Sequence, residues 1–288
     1  MPLQMPLVRI TAGLAHTDEG HGPALLAVHG AMGGADQSWL LGRALLTQIE
    51  TRRVIAVSRP GYPGTPLTLG RTPEAQADLY ARLLDALGIE RTTIAAVSAG
   101  GPSALHFALR HPDRCDGLIL VSAPTSALDV PERQVRRMRV FGLLSRIPGA
   151  VALMRRHAAK DPDAADRRAI PDDDLRRRTL ADPERAALLR LLQSSVLDRL
   201  DQRIPGSLND TKLFRQLPPI PLEEITVPVL ILHAVDDPVV PFAQAESAAQ
   251  RLPRARLVAL GGGGHVALFT HLDEVRAAVE AFQLQPSA

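Results

Sequence analysis

The 288-residue chain has one cysteine, Cys115, which excludes an internal disulfide and any cysteine-based metal cluster. It lies in Arg114-Cys115-Asp116-Gly117, just ahead of an expected strand, and reads as an inert packed thiol. Aromatic residues make up only 3% of the chain, so few side chains can stack a planar ligand, which leans toward aliphatic or compact substrates. Excess charge of one sign is also lacking. The formal net charge is +2 because abundant arginine is balanced by aspartate and glutamate, and no nucleic-acid partner is expected. No apolar run is long enough to span a bilayer, and the opening MPLQMPLVRI does not resemble a secretory leader. A soluble, cytoplasmic protein is expected. No histidine pair has zinc-site spacing, and neither a P-loop nor a dinucleotide fingerprint occurs, so no metal or cofactor is expected.

What is present suits a globular enzyme: 45% hydrophobic and 22% charged residues, in a chain long enough to bury a large core. Leu7 to Thr17 reads as two short antiparallel strands joined near Gly13. The apolar runs Ala24–Val28, Val54–Val57, Thr92–Val97, Leu118–Val121, Val229–Leu232 and Ala255–Leu260 read as buried strands. Between them lie helical patterns: one near Trp39 to Gln48, one opened by Thr72-Pro73 and ended by Gly88, one after Ser98, and a last one over Leu272 to Phe282. Apolar strands alternating with amphipathic helices predict an α/β fold, a mostly parallel sheet with helices on both faces. From Pro124 to about Pro221 strand-like runs vanish and arginine-rich helical pieces alternate with prolines, among them Pro131, Pro162 and Pro205. This predicts a helical cap over residues 124–221, inserted between core parts 1–123 and 222–288.

Chemistry-bearing residues gather where parallel sheets bind ligands, beyond the carboxyl ends of strands. Ser98 stands between the Thr92–Val97 run and a helical pattern with no loop to spare, among the small residues Ala96, Ala99, Gly100 and Gly101. So sharp a corner holds its central residue in a strained backbone and sets its hydroxyl at a helix N-terminus. His29-Gly30-Ala31-Met32-Gly33-Gly34 is a glycine-rich loop after an earlier strand, and Arg59 ends another strand. Asp236 and Asp237 follow Val229–Leu232 just before Pro238, and His265 follows four glycines after Ala255–Leu260.

The Ala96-Val97-Ser98-Ala99-Gly100 corner resembles the nucleophile elbow of the α/β-hydrolase family, usually written G-x-S-x-G, with alanine in place of the first glycine. The order serine, aspartate, histidine is also that family's order. The resemblance implies a triad of Ser98 as nucleophile, His265 as general base and Asp237, rather than Asp236, as orienting acid. It further implies oxyanion donors at the backbone N–H of Ala99 and of Ala31, with Met32 as the alternative to Ala31. His29 is expected to brace its loop, while His106, His111 and His271 read as structural or exposed. The function implied is hydrolysis of small or medium carboxylic esters through an acyl-enzyme. Relatives with this triad also cleave carbon–carbon bonds, lactones or amides or act as perhydrolases, and a non-turnover binding protein could use the same scaffold. Epoxide hydrolases and haloalkane dehalogenases place aspartate at the elbow, so Ser98 argues against both. The only partner expected is a small-molecule substrate.

Two further expectations concern the cap. In Pro171-Asp172-Asp173-Asp174-Leu175-Arg176-Arg177-Arg178, the acids should suit the first turn of a helix and each pair with an arginine four residues on. Val140, Phe141, Leu143, Leu144, Val151, Leu153 and Met154 should line an acyl or alcohol pocket or pack as cap core.

Overall fold

A computed structural model describes residues 4–158, 160, 161 and 163–283 of the chain; Pro162 and the first three residues of the opening segment lie outside it. Strands β1 (Arg9–Thr11) and β2 (Leu14–Glu19) form an antiparallel hairpin. Its two-residue turn, Ala12-Gly13, has positive φ at both positions, the backbone twist that tight hairpins favour. Then come β3 (Ala24–Val28), α1 (Ala35–Leu45), β4 (Arg53–Val57), α2 (Pro73–Ala86), β5 (Thr92–Val97), α3 (Gly101–Arg110) and β6 (Cys115–Val121). Six helices follow: α4 (Glu132–Leu144), α5 (Ala150–Ala158), α6 (Ala164–Ala169), α7 (Asp173–Ala181), α8 (Pro183–Ser195) and α9 (Leu200–Phe214). The chain closes with β7 (Val229–Ala234), α10 (Phe242–Arg251), β8 (Ala255–Leu260), α11 (Ala267–Thr270) and α12 (Leu272–Gln283).

The eight strands form one sheet in the order β1-β2-β4-β3-β5-β6-β7-β8. β2 runs antiparallel to β4, and every pair from β4 onward is parallel. Alternation along each strand feeds two cores. Leu26, Val28, Ile94, Ala96, Leu118 and Leu120 face α2, α3 and α10, where Leu79, Leu83, Phe107 and Ala248 lie buried. Leu25, Ala27, Ala95, Ile119, Leu230 and Leu232 face α1 and α12, with Trp39, Leu41, Val275 and Val279. The mostly parallel, doubly covered sheet expected from the sequence is the one observed. Cys115 opens β6 rather than preceding it, and burial pushes its thiol up to about 12.

Several boundaries differ from expectation for local reasons. α1 begins at Ala35, not near Trp39, and ends at Leu45: its first turn is polar, with Asp36 suited to the positive end of the helix. Pro205 does not interrupt a helix but lies inside α9, where the following N–H, that of Gly206, donates to the Gly61 carbonyl at 2.8 Å. Two adjacent residues thus leave the α9 ladder, and the gap docks the helix on the 59–62 turn. A Cβ on Gly206 would lie 2.3 Å from the Tyr62 ring, so this approach requires glycine.

The acids of α7 pair three residues on, not four, as Asp173–Arg176 and Asp174–Arg177, because Asp172 is the N-cap and accepts the Leu175 N–H at 2.7 Å. Of the apolar residues expected to line a pocket or pack as core, Phe141, Leu144, Val151 and Met154 on α4 and α5 are half-buried, and the other three face solvent. Val140, Leu143 and Leu153 are 47%, 65% and 68% exposed, and the inner contacts of α4 are made by Val135 and by Gly142 against Ile204.

Candidate active site

The corner after β5 is as tight as its composition suggests. Ser98 has φ of 49°, in the left-handed region that a side chain rarely adopts, and α3 starts three residues later with Pro102 in its first turn. Gly100 allows this, since a Cβ there would lie 2.8 Å from the His29 carbonyl oxygen. The elbow and the end of β3 are therefore in backbone contact. Gly30 lies against the nucleophile candidate on the other side, a Cβ on it falling 3.1 Å from Ser98 Cβ.

Asp236 and Asp237 follow β7 and separate in role. Asp236 Oδ1 accepts the Gly264 N–H at 2.8 Å and so fixes the glycine loop after β8, in which Gly263 and Gly264 have φ of 92° and 57°. Asp237 turns inward: Oδ1 accepts the N–H groups of Val239 (2.8 Å) and Val240 (3.1 Å), and Oδ2 lies 2.8 Å from His265 Nδ1. On the other edge of that ring, Nε2 lies 2.9 Å from Ser98 Oγ. The structure thus brings Ser98, His265 and Asp237 into one hydrogen-bonded line. Burial pushes the Asp237 carboxyl up, but the hydrogen bond and charge of His265 and the two backbone N–H groups outweigh it. The net effect holds Asp237 below the usual carboxylate range. His233 packs beneath, donating to the Val240 carbonyl at 2.9 Å; burial lowers its pKa, so it stays neutral.

The loop after β3 carries the two candidate donors unequally. The Met32 N–H is already engaged by Ser207 Oγ of α9 at 2.9 Å, whereas the exposed Ala31 N–H meets no acceptor among the described residues. His29 is fully buried and braces the loop: Nδ1–H donates to the Gly30 carbonyl at 2.6 Å and Nε2 accepts the Arg59 N–H at 2.9 Å. Burial, reinforced by the Arg59 charge, pushes its pKa well below the usual imidazole range. The three histidines expected to be structural or exposed stand apart: His106 beside Glu74, His111 on Asp78, and His271 on Thr270.

Sequence reasoning missed the ion pair beneath this loop. Arg59, 1% exposed, forks onto Asp210 of α9 at 3.0 and 2.6 Å, and its Nε donates to the His29 carbonyl at 3.0 Å. The Tyr62 hydroxyl donates to the same carboxylate at 2.5 Å. Burial works against the Arg59 charge, but the Asp210 carboxylate outweighs it and raises the pKa. Only Arg59 gave a hint, a charge directly after a buried strand; nothing around Asp210 in the chain signals a partner 151 residues away.

A family model described as alpha/beta hydrolase fold matches residues 23–272. The chain belongs to the α/β-hydrolase family. This α/β-hydrolase is 30% identical to the pimeloyl-[acyl-carrier protein] methyl ester esterase of Aromatoleum aromaticum, across 90% of its own length and 97% of that protein's. It is 28% identical to a 2-hydroxymuconate semialdehyde hydrolase of Pseudomonas putida, covering 94% and 90% of the two chains. Among solved structures, an alpha/beta hydrolase fold protein from Nakamurella multipartita is similar at a TM-score of 0.77 and 29% identity, covering 96% of this chain and 98% of that one. No helix among the described residues is long and apolar enough to cross a membrane.

Proposed function

We propose that this α/β-hydrolase cleaves small or medium carboxylic esters through an acyl-enzyme on Ser98. The observation that carries the reading is the placement of His265 between two partners, 2.9 Å from the Ser98 hydroxyl and 2.8 Å from the Asp237 carboxylate. A serine hydroxyl is a weak nucleophile near neutrality, and a neutral imidazole at hydrogen-bond distance takes its proton as it attacks. Ser98 Oγ bonds to the ester carbonyl carbon, and the oxyanion that forms is met by the N–H groups of Ala99 and Ala31. As the C–O bond to the alcohol breaks, His265 returns the proton to the leaving oxygen. Water then attacks the acyl-enzyme with His265 again as base, releasing the carboxylic acid and restoring Ser98. Asp237 holds the Nδ1–H tautomer and stabilises the imidazolium, and its depressed pKa keeps it ionised for that task.

The helices of residues 124–221 form the cap of this reading, with α9 touching the donor loop. Ester cleavage by the Aromatoleum relative supports the choice of bond. The test is hydrolysis of aryl esters of rising acyl length, with lactones, amides and carbon–carbon substrates alongside, combined with fluorophosphonate labelling. Ester turnover and labelling are expected in the wild type, with kcat reduced ~10⁴-fold or more and labelling abolished in Ser98→Ala. Labelling of Ser98→Ala, or no labelling of the wild type, sinks the proposal.

A further inference from the structure

We infer that Ser207, on the cap helix α9, is a positioning residue for the oxyanion loop: it occupies the Met32 N–H and so leaves Ala31 as the loop's donor. This rests on the proposed acyl-enzyme chemistry and extends it to a residue that need not touch the reacting atoms.

Four observations carry the inference. First, Met32 has φ of 58°, a left-handed conformation that a long side chain adopts only where its surroundings hold it. Second, those surroundings grip both polar groups of that one residue. Its N–H donates to Ser207 Oγ at 2.9 Å, while its carbonyl accepts from Arg203 Nη1 at 3.2 Å and Gln37 Nε2 at 3.2 Å. Third, the Ser207 oxygen can only accept from the Met32 N–H, and its own proton has acceptors on the far side, the Arg203 carbonyl at 3.0 Å and the Tyr62 hydroxyl at 3.3 Å. Fourth, Arg203, Ser207 and Asp210 occupy one face of α9 by helical spacing, and all three address the same stretch of core. Arg203 also binds Asp36 at 2.5 Å, and Asp210 binds Arg59, whose guanidinium donates to the carbonyls of His29 and Gly30.

One face of the cap thus fixes the loop from His29 to Asp36, and at its centre a hydroxyl captures the N–H that would otherwise compete for the oxyanion. Gly30, between the brace and the donor, is in contact with Ser98, so the loop has little room to relax without moving away from the nucleophile. A displacement of α9 takes the brace with it. The arrangement of the oxyanion hole is therefore tied to the seating of the cap, although no cap residue needs to touch the oxyanion.

The deciding measurement is the split between kcat and KM in Ser207→Ala and in Ser207→Cys, which keeps the packed volume but offers only a weak acceptor. Both are expected to lower kcat on an aryl ester ~10- to 100-fold with KM changed less than about threefold, since small misplacements near a reacting centre act on the transition state. Affinity for an aryl trifluoromethyl ketone, whose adduct with Ser98 places an oxyanion in the hole, should fall in parallel with kcat. Affinity for the product carboxylate should hold. Wild-type kcat and ketone affinity in either variant overturn the inference, and so does a change confined to KM, which indicates cap packing alone. If Ser98→Ala is inactive while the Ser207 variants behave as wild type, only this inference falls. If Ser98→Ala retains activity, the proposed chemistry falls instead.

Discussion

The helical segment between β6 and β7, together with the turn after β4 on which it docks, uses arginine and aliphatic residues in two opposite ways. On the α9 side, Arg59 and Arg203 are 1% and 2% exposed, and each is matched by a carboxylate and by backbone carbonyls. On the α4–α5 side, Arg133, Arg136, Arg139, Arg146 and Arg156 stand in water. There only Arg155 finds a carboxylate, that of Asp198, among the described residues. Val140, Leu143 and Leu153 are exposed beside them. The residue types are the same; what differs is desolvation. A guanidinium taken out of water must be paired and saturated with acceptors, and once it is, it fixes the geometry of everything it touches. A guanidinium left in water constrains nothing.

That contrast can be broken by experiment, most sharply at the buried pair. Asp210→Ala leaves Arg59 charged, buried and without its carboxylate, and is expected to destabilise the fold by about 3–5 kcal/mol. Urea unfolding followed by circular dichroism measures this, and a loss below about 1 kcal/mol would place Arg59 with the solvated arginines.

A smaller effect is expected from acid. Burial and Arg59 depress the pKa of His29, so above an imidazole's ordinary value of about 6.5 the ring is neutral in both folded and unfolded chains and contributes no pH dependence. Below that value the unfolded chain binds a proton that the folded one does not, so stability falls as pH falls. The slope from this residue approaches roughly 1.4 kcal/mol per pH unit. Unfolding free energies between pH 7 and 5 should show it, and His29→Gln should flatten the curve. An unchanged slope in that variant would mean the ring is not kept neutral.

The least effect belongs to α4. Leu143→Ser and Arg139→Gln should each move stability by no more than about 0.5 kcal/mol, as surface changes without partners do. A loss above 1 kcal/mol in the same unfolding assay would erase the distinction between the two flanks.

The same division separates what the sequence discloses from what only the fold shows. Strand runs such as Ala24–Val28 and Thr92–Val97 are legible because a short unbroken apolar run is a local signal, and the elbow because small residues must crowd around Ser98. The meeting of His265, Asp237 and Ser98 was inferred through resemblance, and the geometry now brings the three side chains together. The Arg59–Asp210 pair and the Ser207 contact with Met32 were not legible. Each joins residues more than 150 positions apart, with no period or motif to announce them. Pro205 misled for a related reason. A proline normally stops a helix, but here the lost bond is offset by docking on Gly61, a partner visible only in three dimensions.

Cys115 offers a practical consequence. With no exposed surface and a thiol whose ionisation burial disfavours, Cys115 should be passed by maleimides. Cysteines introduced on α4 and on the core would then be the sole attachment points for a fluorophore pair. The distance between the two dyes could then be followed on single molecules of an otherwise unaltered chain.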